Sequence, residues 1–412
     1  MKRVLTVILC MMLVFPAALQ ASAAGSMPVS GSLYSTGDNY YERFRGEGLT
    51  ITVYNWGEYI SDGKEGSFDT NKEFEALTGI SVNYITFASN EQMYAKLKSE
   101  GTAQYDIIIP SDYMIAKMIS EGMVERLDCT ELPNYALIDN LYKGLAHDRN
   151  NEYSVPYMWG MVGIVYNKSL VSGEINSWND LWNEEYKGSI LMFDNPRDAF
   201  SISLARLGYS INTENANEIK EAADELMKQK SLVQAYVMDE IFNKMEGGEA
   251  AIAPYYTGDA ITMMSENEDL AFSFPNEKTN LFVDSFVIPR GSKNIEAAKM
   301  YINFMCEPVV SAANAEYIGY STPIPEAFEL IDMDEEDMKI AYPSEEIISN
   351  SEVLRELNNE SSLLMDKLWT DIRSYKAGRV DWIMPVVFIL IAIAVSVLFV
   401  LRRAKKRRRE QY

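Results

Sequence analysis

Only one histidine occurs in the sequence, His147 in the polar run LAHDRN, so no pair of imidazoles is available to hold zinc or relay a proton. No G-x-S-x-G elbow, phosphate-cradling P-loop or G-x-G-x-x-G turn is present. Paired carboxylates can hydrolyse a glycoside, but with so many acids the nearness of two says nothing. Neither catalysis nor a cofactor is expected. What the sequence does contain is aromatic residues interleaved with acids. Tyr54-Asn55-Trp56-Gly57-Glu58-Tyr59 is one such stretch and Tyr255-Tyr256-Thr257-Gly258-Asp259 is another. Phe282-Val283-Asp284 would place Phe282 and Asp284 on one face of a strand, and Asp112-Tyr113 and Gly319-Tyr320 add to the set.

This pairing of types suits an organic polycation. Ammonium groups need carboxylates, because an unpaired charge is heavily penalised once buried. The methylenes between them favour flat apolar walls, and ring faces attract desolvated cations by about 0.5–2 kcal/mol each. Taken one at a time the residues are less telling. A single Tyr or Trp is equally at home in a core, and Asp112, just before a helix, could serve as its cap.

The elements that must position these loops alternate. Leu49–Tyr54 reads as a strand, Asn71–Leu77 as a helix ended by Gly79, Ile80–Ile85 as a strand, and Glu91–Ser99 as a helix opened by Ser89. Tyr105–Ile109 is an apolar strand, and Pro110-Ser111-Asp112 starts the next helix. The alternation resumes with Ser189–Phe193, Arg197–Leu207, Ala216–Lys230, Ala250–Ala253, Leu270–Phe274, Phe282–Ile288 and Ile295–Cys306. Two α/β units with parallel sheets follow, their seam near Val155–Gly160. Ligands of such sheets bind where strand ends meet helix starts. The loops at Asn55–Tyr59, Pro110–Tyr113, Asp194–Asp198 and Tyr255–Asp259 hold that position.

Charge is segregated along the chain. Nine of 37 basic residues lie at the two ends, and 59 of 60 acids lie between them, so residues 24–381 carry about −31. Nucleic acid is excluded as a partner, because such a surface repels phosphates. Residues 1–24 combine Lys2-Arg3, an apolar run and Ala21-Ser22-Ala23, the pattern of a signal peptide. Trp382–Leu401 is an uncharged 20-residue run, long enough at about 1.5 Å per residue to span a bilayer core, and RRAKKRRR follows it. The expected arrangement is an extracytoplasmic domain tethered by one C-terminal transmembrane helix, with a basic tail at 402–412 inside. Beyond the leader, Cys129 and Cys306 read as buried small hydrophobes rather than a bridge.

Eight segments carry a resemblance: YNWGEYI (54–60), NEQMYAKLKS (90–99), YDIIIPSDYMIAKM (105–118), YSVPYMWGMVGIVYN (153–167), SWNDLWNEEYKGSI (177–190), ARLGYS (205–210), VDSFVIP (283–289) and YIGYSTPIPEA (317–327). In this order they resemble periplasmic spermidine/putrescine-binding proteins, the receptor subunits of polyamine ABC importers. The resemblance runs from about Leu49 to Arg379. It implies a type II periplasmic-binding-protein clamshell of α/β class with two discontinuous lobes. The expected division is a leader at 1–24, a flexible linker at 25–48, and lobe 1 at 49–157 and 283–325. Lobe 2 is expected at 158–282 and at 326–381, which includes a stalk, followed by the membrane helix at 382–401.

The same resemblance implies that Trp56, Tyr59, Tyr256, Phe282 and Tyr320 wall the cleft. Glu58, Asp198 and Asp284 would hold ammonium groups, and Ser111 and Tyr113 would line it. Tyr256 and Phe282 stand where tryptophan is common, and Asn195 stands where spermidine receptors tend to carry a carboxylate. Asp259 follows a pattern of putrescine receptors. Putrescine or spermidine is therefore the expected ligand, with ABC permease and ATPase subunits as partners and a monomer as the acting form. The alternatives are the same fold for an amino acid, a thiamine-like cation or ferric iron, or a tethered sensor or adhesin.

Overall fold

The computed structural model describes residues 34–375. Ten strands carry the architecture: β1 Thr50–Trp56, β2 Ser81–Phe87, β3 Ile107–Ile108, β4 Ser154–Asn167, β5 Ile190–Phe193, β6 Val233–Val237, β7 Ile252–Tyr256, β8 Leu270–Ser273, β9 Thr279–Val287 and β10 Ser351–Val353. They follow the order β2-β1-β3-β9-β4-β7-β5-β6, with β10 beside β9 and β8 beside β4. β1, β2 and β3 are parallel, as are β5, β6 and β7. The expected all-parallel sheets are corrected at the centre, because β4 runs antiparallel to β9, β7 and β8.

The seam expected near Val155–Gly160 falls in the interior of β4. Its first half, Ser154–Met161, pairs with β9, and Val162–Tyr166 pairs with β7. All but one of its fourteen residues are buried, which explains a near-continuous apolar run without alternation. Two apolar cores result. One gathers Phe74, Tyr301, Phe304 and Phe286, the other Trp178, Phe193, Phe200 and Ile219, and Trp56 and Tyr256 pack against both.

Local signals account for the helix ends. Asp69 accepts from the Lys72 backbone at 3.0 Å to open the helix Thr70–Thr78, and Gly79 closes it at φ 76°. Ser89 accepts from the Gln92 backbone at 3.2 Å to start Asn90–Glu100. Asn195 and Pro196 together begin the helix Pro196–Arg206. The helix Asn359–Ser374 lies against Ala216–Gln229, joining late chain to the second core.

Part of the lead-in expected to be flexible is ordered from Tyr34 onward. Tyr34 and Tyr41 are buried against Phe304. The buried Glu307 carboxylate accepts from the backbone of Ser35 at 2.5 Å and of Thr36 at 3.1 Å, and from the Tyr41 hydroxyl at 2.6 Å. Cys129 and Cys306 are buried free thiols.

The fold expected from the sequence also included a membrane-spanning helix, and this is corrected. Among the described residues no helix is long and apolar enough to cross a membrane. The run 382–401 on which that expectation rested lies outside the described residues, as do the 1–24 leader and the 402–412 tail.

Candidate functional site

Ten of the eleven residues singled out from the sequence converge on one partly open cavity, with about 620 Å³ of space between them that includes its solvent-filled mouth. Trp56 and Tyr59 reach it from the end of β1, Ser111 and Tyr113 from the start of the helix Asp112–Ser120, and Asp198 from the first turn of Pro196–Arg206. Tyr256 and Asp259 come from the junction of β7 with the helix Thr257–Glu266. Phe282 and Asp284 come from one face of β9, and Tyr320 follows the helix Pro308–Ile318. Except for Phe282 and Asp284 within β9 and Tyr320 after a helix end, these are strand ends and helix starts, where an α/β sheet offers side chains to a ligand.

The rings form a continuous wall. Tyr59 meets Tyr320 edge-on at 4.8 Å, Tyr256 meets Phe282 at 5.4 Å, and Phe282 meets Tyr320 at 6.2 Å. Gly258 permits this, because a Cβ there would stand 2.1 Å from the Tyr320 ring. Gly57 likewise lets the Asp239 carboxylate approach, since a Cβ would lie 2.5 Å from its Oδ2.

Glu58 is the exception. Its backbone is left-handed at φ 45°, and its side chain, 58% exposed, faces Lys64 at 3.8 Å in a neighbouring groove. The expectation that it holds an ammonium within the cavity is corrected. The turn that sets Trp56 and Tyr59 inward turns Glu58 outward.

Five aspartates line the cavity, namely 112, 198, 239, 259 and 284, and no Lys, Arg or His is among the lining residues. Burial, the largest cause, raises the Asp284 carboxyl to about 7. Burial raises Asp198 to about 6, although the Tyr256 hydroxyl donates to its Oδ2 at 2.7 Å. Asp112 and Asp259 are pushed well above the carboxylate range, again chiefly by burial. For Asp259 the Asp239 charge adds to it. Asp239 is raised by burial and by Glu240 and Glu58. Asp284 Oδ1, the Tyr59 hydroxyl and Trp56 Nε1 are buried with no hydrogen-bond partner. Asp284 Oδ1 and the Tyr59 hydroxyl oxygen are acceptors that a cation carrying N–H donors can fill, whereas Trp56 Nε1 can only donate.

Other residues have roles that sequence reasoning did not assign. Asn195 is the cap of its helix, and its Nδ2 donates to Asp198 Oδ2 at 2.7 Å, so it steadies a carboxylate rather than replacing one. Asn90 donates to the Ser111 hydroxyl and to the Tyr113 hydroxyl, each at 3.1 Å. Asp112 sits within the first helical turn, its Oδ2 accepting from the Val283 backbone at 3.3 Å, which ties that helix to β9. Asp239 follows β6, a strand whose short half-buried pattern gave no signal. Asn280 lies two residues before Phe282 on β9, where the two-residue period of a strand could have found it.

A family model described as bacterial extracellular solute-binding protein matches residues 70–341. The spermidine/putrescine-binding periplasmic protein of Escherichia coli (strain K12) is 36% identical over 87% of this chain and 97% of its own. A putrescine-binding periplasmic protein of Pseudomonas aeruginosa is 30% identical over 79% and 92%. Among solved structures, the spermidine/putrescine ABC transporter substrate-binding protein of Streptococcus pneumoniae, in complex with calcium and HEPES, is 37% identical. It superposes with a TM-score of 0.67 over 79% of this chain and 98% of that one.

Proposed function

The chain belongs to the family of bacterial extracellular solute-binding proteins, and from that premise we propose that its cavity captures a polyamine, putrescine or spermidine, outside the cytoplasm. The receptor delivers it to an ABC import permease driven by an ATPase subunit. The observation that carries this is the set of five aspartates among aromatic walls with no cationic side chain in the lining. Ammonium groups supply the missing positive charge, and the rings flank the methylenes between them. The chemistry is capture and release, and no bond is made or broken.

Two lobes close on the ligand. One carries β1–β3, β9 and the first half of β4, and the other carries β5–β8 and the second half of β4. Trp56, Tyr59, Ser111, Tyr113, Phe282, Asp284 and Tyr320 then face Asp198, Asp239, Tyr256 and Asp259 across the cleft. A cation touching both sets binds the closed form better, and that difference shifts the hinge equilibrium. The test is calorimetric titration of the ligand-stripped full chain with putrescine, cadaverine, spermidine and spermine. Micromolar or tighter binding of one of them is expected, and Asp284→Asn should weaken it by at least ~2 kcal/mol by leaving a buried ammonium underpaired. A folded wild-type chain that binds none of the four refutes the function. An Asp284→Asn variant of unchanged affinity removes Asp284 from the site.

A further inference from the structure

Asn280, Phe282 and Asp284 alternate along β9, and all three line the cavity. Asn280 is 4% exposed, yet its side-chain Oδ1 has no hydrogen-bond partner. The amide stands beside Asp198 and helps to hold its carboxyl in the ionised form. A side-chain amide carries an acceptor as well as donors, and here Oδ1 is left free for another donor. Asp198 Oδ2 is itself in demand, accepting from Asn195 Nδ2 and from the Tyr256 hydroxyl, each at 2.7 Å. A buried amide oxygen left without a donor is a cost to the folded protein. It is offset when a ligand brings the donor.

We propose that Asn280 is a further ligand-contacting and specificity-determining residue, its Oδ1 accepting an N–H from the ammonium group that Asp198 holds. The inference rests on the polyamine reading and extends it. A carboxylate attracts positive charge from many directions, whereas a neutral amide oxygen rewards only an N–H aimed at it. The Asp198 end of the cavity thereby selects an ammonium with at least two N–H groups, one for each acceptor. An end whose hydrogens are replaced by methyl groups satisfies the charge and leaves Oδ1 bare.

The full chain, as wild type, Asn280→Ala and Asn280→Leu, is titrated with putrescine, spermidine and a diamine trimethylated at one nitrogen. The unliganded proteins are melted in parallel. Both variants should bind the preferred polyamine about tenfold more weakly and discriminate less against the trimethylated diamine. Their unliganded melting temperatures should equal or exceed that of the wild type, because a partnerless buried polar atom has been removed. Unchanged affinity with a wild type that binds polyamine overturns the inference and leaves the functional reading intact. Melting temperatures lowered in both variants make Asn280 a structural amide and overturn it too. A wild type that binds no polyamine sinks the functional reading, and this inference with it.

Discussion

Lowering the pH should weaken polyamine binding steeply, while protonation of two cavity carboxyls adds to the stability of the unliganded protein. Asp284 titrates near 7 and Asp198 near 6 in the empty cavity, both raised chiefly by burial. The other groups near them are hydroxyls, the Asn195 and Asn280 amides and further acids, with the Arg197 guanidinium 5.4 Å from the Tyr113 ring. A bound ammonium favours the ionised carboxylate, so at low pH binding must first expel protons. At pH 5, Asp284 lies about two units below its empty-cavity value and Asp198 about one unit below. At a factor of ten per unit, affinity should fall from pH 8 to pH 5 by about a hundredfold through Asp284. Asp198 contributes a further tenfold or so, giving about 4 kcal/mol together. The unliganded fold behaves in the opposite sense. Asp284 and Asp198 hold protons more tightly in the empty fold than in the unfolded chain, so the stability they contribute is fully present below about pH 4 and is lost as pH rises to about 6 and 7. His147, lowered to about 4 by burial, contributes in the reverse direction. Titration of spermidine at pH 5, 6, 7 and 8, each in two buffers of different protonation enthalpy, reads the affinity and the protons released. Melting the empty protein across the same range reads the second effect. A dissociation constant steady to within about twofold from pH 8 to pH 5 refutes the reasoning, because ammonium groups would then not be meeting these carboxylates.

Two further outcomes follow from the geometry. Glu58→Gln should change polyamine affinity by less than about 0.5 kcal/mol, since Glu58 is exposed and paired only with Lys64 outside the cavity; a tenfold loss by calorimetry would place it in the site after all. Glu307→Gln replaces one of two acceptor oxygens that receive the Ser35 and Thr36 backbone and the Tyr41 hydroxyl. It should lower unfolding free energy by about 1–3 kcal/mol in denaturant titration and leave affinity intact, and unchanged stability would show that the N-terminal segment contributes nothing there.

Much of the chain was legible because its signals are local. Ser89 and Gly79 mark helix ends through hydrogen bonds within a few residues, and the aromatic-acid stretches at Trp56–Tyr59 and Tyr256–Asp259 fall where strands end. Alternation along β9 placed Phe282 and Asp284 on one face without reference to anything else. Those patterns determined an α/β fold with an acidic, aromatic cleft suited to a cation. The antiparallel course of β4 and β9 was not legible. A strand buried on both faces loses its alternation, and direction is set by partners distant in sequence. Only the tertiary structure decided the membership of the site. Glu58 sits between two cavity residues in sequence, but a left-handed backbone turns it to solvent. Asp239 enters because β6 ends beside Gly57, which has no Cβ to keep it away. Asn195 became a cap that holds Asp198, and Asn280 became an acceptor without a donor. Whether a polar atom is satisfied depends on every element packed around it, and that information lies in the packing of the whole chain.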